Sequence, residues 1–388
     1  MTDFSNYINL DYAASTPMRD AAIEAQAAFD ASYLAGVNPN SLHSLGRKAA
    51  SVLEMCRRLI AKSFGSRVRP SEIVFTGGGT EANFIALAGI AEGVRQRKPQ
   101  RNKILISSIE HDSILDNISH LRSEGFVVEL LSVCRDGYVT PAELEKHMGD
   151  DVCLISVMLA NNETGAVQPI RELAQIAHAH GAYMMCDAIQ GYMHIPFDVA
   201  DLGVDAMTAA AHKIGGPVNL GALYIKTRTP LHPQMLGGGQ EAGRRAGTQD
   251  LRSVVGFTAA VESIMNSVSA DKDRLMVLAD GLYERLCAHE AINPTIRNVY
   301  DANRLPGIVS ITVDGFDSEE LILKLDAAGF CVSAGSACSS GSLDPSHVLS
   351  AMNIPREQAL GSLRISFDDR VDPSQLDRFA DALLSIIG

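Results

Sequence analysis

The chain has 388 residues, 46% of them hydrophobic and 20% charged, with a formal net charge of −13 at pH 7. That length accommodates two domains, or one large domain with a smaller lobe, and the apolar share is ample for a core. The surplus of acids excludes a protein built to grip a nucleic-acid backbone, which needs clustered lysine and arginine. The amino terminus, Met1-Thr2-Asp3-Phe4-Ser5-Asn6, shows no basic segment followed by an apolar one, so no secretory signal is expected. No apolar run reaches the length of a membrane span. The cysteines at 56, 134, 153, 186, 287, 331 and 338 form no Cys-x-x-Cys pair, which fits a cytoplasmic protein with reduced thiols.

Between residues 70 and 226 short apolar runs alternate with amphipathic stretches. The pattern predicts strands over 72–76, 103–107, 127–132, 152–159, 182–186, 206–209 and 221–225, and helices over 81–95, 111–124, 141–148 and 170–180. Such alternation describes an α/β fold, a mostly parallel sheet covered on both faces. Sheets of this kind bind ligands at the carboxyl ends of their strands. A second block starts near residue 255, with helical patterns over 255–268 and 274–289, a strand over 309–313 and a helix over 318–328. A strand over 362–366 and a terminal helix over 373–387 complete a smaller α+β lobe.

Several residues could carry chemistry. Lys213 follows the small, apolar run 206–211. Desolvation there would disfavour the ammonium and free the amine for a Schiff base, whereas a solvated turn lysine is the plainer alternative. Thr76-Gly77-Gly78-Gly79-Thr80-Glu81 follows a strand and opens a helix, a setting that favours a phosphate or a simple tight turn. Asp187 closes the apolar run 181–186, where an acid needs a cationic or hydrogen-bonding partner. A protonated pyridine nitrogen is one such partner, and a helix cap is another use. An acid for a ring nitrogen with a lysine for an aldehyde is what a pyridoxal phosphate enzyme needs. His111 begins a helix and could stack on a flat ring or simply cap the helix. Asn162, in Asn161-Asn162-Glu163, stands at a strand end and could donate to a cofactor hydroxyl or form a polar turn. Cys338 sits in Ser336-Ala337-Cys338-Ser339-Ser340-Gly341, a small, polar segment where an exposed thiol is normally avoided unless used. Arg364 could pair with a carboxylate or occupy an exposed strand face.

These segments stand in a specific order with Leu10-Asp11-Tyr12-Ala13-Ala14-Ser15-Thr16-Pro17, Asn38-Pro39-Asn40-Ser41-Leu42-His43, Asp187-Ala188-Ile189-Gln190, Ala211-His212-Lys213, Gly237-Gly238-Gly239-Gln240-Glu241 and Arg245-Ala246-Gly247-Thr248. Taken together, the chain resembles the cysteine desulfurases of the nitrogen-fixation and iron–sulfur-assembly type, within the class V aminotransferases. The resemblance covers nearly the whole chain. It implies a fold-type-I, pyridoxal-5′-phosphate-dependent homodimer, with a large cofactor domain over 16–256. A small domain from 1–15 and 257–388 would carry the cysteine loop. Lys213 would bear the cofactor, Asp187 would pair with its ring nitrogen, and His111 would stack on the ring. Gln190 and Asn162 would contact the ring hydroxyl. Gly79, Thr80 and His212 would hold the phosphate, with Thr248 reaching in from the other subunit. Asn38 and Arg364 would bind the substrate carboxylate.

The implied reaction takes sulfur from L-cysteine, giving L-alanine and a persulfide on Cys338 for a sulfur-acceptor protein such as an iron–sulfur scaffold. His111 would manage the thiol proton. Two positions depart from the family pattern. Ala210 replaces a phosphate-contacting serine, and Val218-Asn219 replaces a Lys-Gly pair, removing a positive charge. A selenocysteine lyase or another β-eliminating enzyme of the same fold would work without Cys338. A degenerate partner-binding subunit would be colourless.

Overall fold

The computed structural model describes residues 7–335 and 344–388. A seven-stranded sheet forms its centre, in the spatial order Ile73–Thr76, Gly221–Ile225, Ala206–Ala210, Tyr183–Asp187, Val152–Ser156, Lys103–Ser107 and Val127–Leu131. The five strands from Ala206–Ala210 to Val127–Leu131 run parallel, while Gly221–Ile225 runs against both neighbours. Every residue of Val152–Ser156 and Ala206–Ala210 is buried, as a sheet covered on both faces requires.

The two-residue period of a strand divides the core. Ile104, Ile106, Leu154 and Met185 pack with Ile85, Leu87 and Ile90 of the helix Gly79–Arg97 on one face. Leu105, Ile155, Met184 and Cys186 pack on the other face with the helices Ser44–Phe64, Ile170–Ala179 and Leu251–Ile264. Two helices without a sequence-based expectation, Asp20–Asp30 and Ser44–Phe64, precede the first sheet strand. The first buries only Ala22 and Gln26, so it has almost no apolar stripe to read. The second carries Ala49, Leu53, Cys56, Ile60 and Phe64 on one face, with the His43 ring accepting from the Gly46 N–H at its start. The helix expected over 111–124 is broken into Asp112–Leu115 and Ile118–Ser123.

The smaller lobe has its own core. The antiparallel strands Ile292–Pro294, Ile308–Val313 and Ser362–Ser366 pack against the helices Val268–Leu286, Ser318–Ala327 and Pro373–Ile387. Ile8 and Leu10 belong to this core, and the strand Ile8–Asn9 pairs in parallel with Phe330–Cys331. A division at 256–257 falls inside the helix Leu251–Ile264, whose Phe257, Ala260, Val261 and Ile264 all enter the larger core. By packing, the change of lobe comes after this helix.

A strap over residues 11–19 joins the two lobes. Arg19 donates from Nε to the Ile214 carbonyl at 2.9 Å, and its Nη2 lies 3.3 Å from Asp368 Oδ2. Arg19 also pairs with Asp369. The strap therefore ties the small lobe to the turn that follows Ala206–Ala210.

Candidate active site

The parallel strands end at one edge of the sheet, and four of the five lead to residues of the site. Lys103–Ser107 leads to Glu110 and His111, Val152–Ser156 to Met158 and Asn162, Tyr183–Asp187 to Asp187 and Gln190. After Ala206–Ala210 the chain makes one tight helical turn, Ala211–Ile214, which carries His212 and Lys213. A cavity of about 230 Å³ opens at this edge. Gly79, Thr80, His111, Asn162 and Asp187 stand in its wall, as do Gln190, His212, Lys213 and Arg364. The structure thus brings together nine residues that the sequence singled out.

Three others lie apart. Asn38 is exposed and absent from the cavity wall; its Oδ1 accepts from the Asn40 N–H at 2.8 Å. Thr248 is likewise exposed and away from the wall of this single chain. Cys338 lies outside the described residues.

The helix Gly79–Arg97 starts at Gly78 without a capping side chain, so among the described residues no side chain covers its first N–H groups. Gly79 is required by close approach: a Cβ there would lie 2.3 Å from Ile189 Cδ1. That built atom would also lie 3.4 Å from the Ala210 methyl, which places Ala210 against the helix start. Val218, in contrast, is 64% exposed and outside the wall, so the charge missing there concerns the surface.

Lys213 Nζ donates to the carbonyls of Ala13 at 2.6 Å and Ala14 at 2.9 Å, both on the strap. The Lys213 carbonyl in turn accepts from Thr16 Oγ1 at 2.8 Å and meets His194 Nε2 at 3.1 Å. Gln190 Nε2 also donates to the Ala13 carbonyl, at 2.8 Å. Asp187 is buried; its Oδ1 accepts from the Ile189 N–H at 2.9 Å and its Oδ2 from Asn83 Nδ2 at 2.7 Å. Arg364 is 1% exposed rather than on an open strand face. Its Nη1 donates to the Asn162 carbonyl at 3.0 Å and its Nη2 to Asp11 Oδ1 at 2.8 Å. Arg364 Nε meets no partner among the described residues.

Burial shapes the electrostatics. It pulls the His212 pKa down to about 4, with the charges of Lys213 and His111 acting in the same direction, so this ring is neutral at pH 7. Burial pushes Glu110 well above the usual carboxyl range, and the nearby Asp187 adds to the effect. Glu110 Oε1 accepts from the Met158 N–H at 2.6 Å, while its Oε2 lacks a partner among the described residues. Burial also raises Glu163. Glu163 accepts from Ser346 Oγ, and a Cβ on Gly335 would lie 2.8 Å from its Oε2. It therefore touches the chain on both sides of the Cys338 segment.

A mostly parallel sheet with a lysine after one strand, an acid at the end of the next and a glycine-opened helix beside them defines a class of cofactor-dependent α/β enzymes. The family model "Aminotransferase class-V" matches residues 8–379, and the chain belongs to that family. It is 39% identical over 380 residues to "Cysteine desulfurase IscS" of Dictyoglomus turgidum, covering 98% of this chain and 94% of that one. Its fold matches a solved "NIFS-LIKE PROTEIN" with a TM-score of 0.89 and 31% identity, covering 98% of this chain and 99% of the other. It also matches "SspA in complex with cysteine" with a TM-score of 0.80 and 30% identity, over 93% of this chain and 99% of that one.

Proposed function

We propose that this chain is an L-cysteine desulfurase that uses pyridoxal 5′-phosphate, takes sulfur from L-cysteine and releases L-alanine. The convergence of Lys213, Asp187, His111, Gln190 and Arg364 on one cavity carries the reading. Its relatives point the same way, being cysteine desulfurases by name over nearly their full length, and one solved relative is described with cysteine bound.

The residues present fit the cofactor. Uncapped N–H groups at Gly79 and Thr80, beside a neutral His212, suit a phosphate. The acid at Asp187 suits a protonated ring nitrogen, and Lys213 suits an aldehyde. When bound, pyridoxal phosphate supplies an electron sink for the bonds at the substrate's α-carbon. Ala210 offers a methyl where a hydroxyl would give the phosphate one more donor.

This chain's own groups do the rest. Lys213 would hold the amine that takes the α-proton. Arg364, in the cavity wall, offers its guanidinium to the substrate carboxylate. The Cys338 thiolate attacks the substrate sulfur: the new S–S bond forms as the substrate C–S bond breaks, and the electron pair left on the β-carbon takes up a proton, giving a persulfide on Cys338 and alanine. Thr248 completes the phosphate site from a second copy, and Asn38 assists at the carboxylate from outside the single-chain wall. A cytoplasmic homodimer handing sulfur to an acceptor protein completes the proposal. Among the described residues six cysteines are free thiols, and no helix is long and apolar enough to cross a membrane.

The test is to load the purified chain with pyridoxal phosphate, add L-cysteine and quantify alanine. Alanine should form with persulfide in equal amounts, and Cys338→Ala should lower the rate by about 10²-fold or more. Pyruvate and ammonia in place of alanine, or full turnover by Cys338→Ala, would sink the reading.

A further inference from the structure

A continuous hydrogen-bonded chain of side chains runs from Asp187 through Asn83 and Ser113 to His111, and all but Asn83 stand in the cavity wall. Asn83 is fully buried on the helix Gly79–Arg97. Its Nδ2 lies 2.7 Å from Asp187 Oδ2 and 2.9 Å from Ser113 Oγ, and its Oδ1 accepts from Thr208 Oγ1 at 2.7 Å. Ser113 Oγ lies 3.0 Å from His111 Nδ1, and the Ser113 backbone N–H donates to the same nitrogen at 3.0 Å.

The direction of every bond follows from the donor inventory. A carboxylate at Asp187 can only accept, so the amide atom facing it is the Asn83 nitrogen. That nitrogen has a second proton, which it gives to Ser113 Oγ. The serine oxygen is then an acceptor, and its own proton is left for His111 Nδ1. The backbone N–H of Ser113 can only donate, and it points at the same atom. His111 Nδ1 therefore accepts twice and carries no proton in the neutral ring.

We infer that Asn83 and Ser113 are positioning residues that fix neutral His111 with its proton on Nε2, the ring nitrogen left for the cavity. Asp187 sets the tautomer from three hydrogen bonds away. The acid that would serve the cofactor's ring nitrogen thus also decides which nitrogen of His111 presents a proton to substrate.

The inference rests on the reading of His111 as a group facing substrate, but its first test does not need turnover. In the full chain labelled with ¹⁵N at histidine, long-range proton–nitrogen spectra above the histidine titration range identify the protonated ring nitrogen, with His111→Asn assigning the signal. The expected result is a bare Nδ1 and a protonated Nε2. A protonated Nδ1 overturns the inference, whether or not the chain is a desulfurase. In kinetics, Ser113→Ala should lower kcat about 3–10-fold with KM for cysteine unchanged, as the loss of one neutral hydrogen bond. Ser113→Thr should restore it. A merely structural role would lower the melting temperature of Ser113→Ala and leave kcat per folded enzyme unmoved; that outcome also overturns the inference.

Discussion

The two walls of the cavity are built differently. On the sheet side, Asp187 receives two donors, His111 Nδ1 two more, and Lys213 Nζ reaches two carbonyls. On the small-lobe side, Arg364 keeps Nε without a partner among the described residues although it is almost wholly buried. A buried donor left open costs about 1–3 kcal/mol. The sheet side thus holds each of these polar groups through two partners in fixed directions, whereas on the lobe side a buried guanidinium keeps one donor open.

The contrast can be broken at several points. Lys213→Ala strikes the sheet side hardest and should cut cysteine turnover by at least about 10³-fold with little change in melting temperature. Residual alanine formation within 10-fold of the parent, read by amino-acid analysis, would remove Lys213 from the chemistry. Arg364→Lys strikes the lobe side. One ammonium cannot reproduce the guanidinium's spread of donors, so KM for cysteine should rise about 10–100-fold with kcat changed much less. Initial-rate kinetics showing a fall in kcat at constant KM would place Arg364 in the wrong role.

A smaller effect sharpens the electrostatic side of the comparison. Glu110 has its pKa raised by burial and by Asp187, so its neutral form supports the fold at low pH. That support is lost as pH rises from the ordinary carboxyl range through the raised value. Glu110→Gln keeps the shape and should leave stability near pH 5 unchanged while raising the melting temperature near pH 8. Equal shifts at both pH values in thermal unfolding would refute the assignment. His212 has the opposite sign, since its lowered value makes the fold lose stability as pH falls from about 6.5 toward 4.

What the sequence disclosed is what it writes contiguously. Each strand-end motif places its chemistry within a few residues of an apolar run, so Asp187, His111, Asn162 and Lys213 were legible together with the α/β sheet. The helix Asp20–Asp30 was not, because an alanine-rich face gives no contrast between buried and exposed positions. Asn83 was hidden for another reason. A polar residue inside a helix reads as solvent-facing, and only the packing of Gly79–Arg97 against the strands turns it inward to Asp187. Glu163 and Ser346 stand 183 positions apart, a separation at which no local pattern connects them. The segment 10–17 stood out as a motif, yet its partner, Lys213, lies about 200 positions away.

The free amine of Lys213 donates to the main-chain carbonyls of Ala13 and Ala14. Carbonyl oxygens survive every amino-acid replacement, so an alanine scan, or any scan of side chains, passes over this berth in silence. Only a change in the path of the strap can remove it, such as a residue inserted between Ala14 and Thr16. These two contacts would then be lost while every side chain of the site stayed intact.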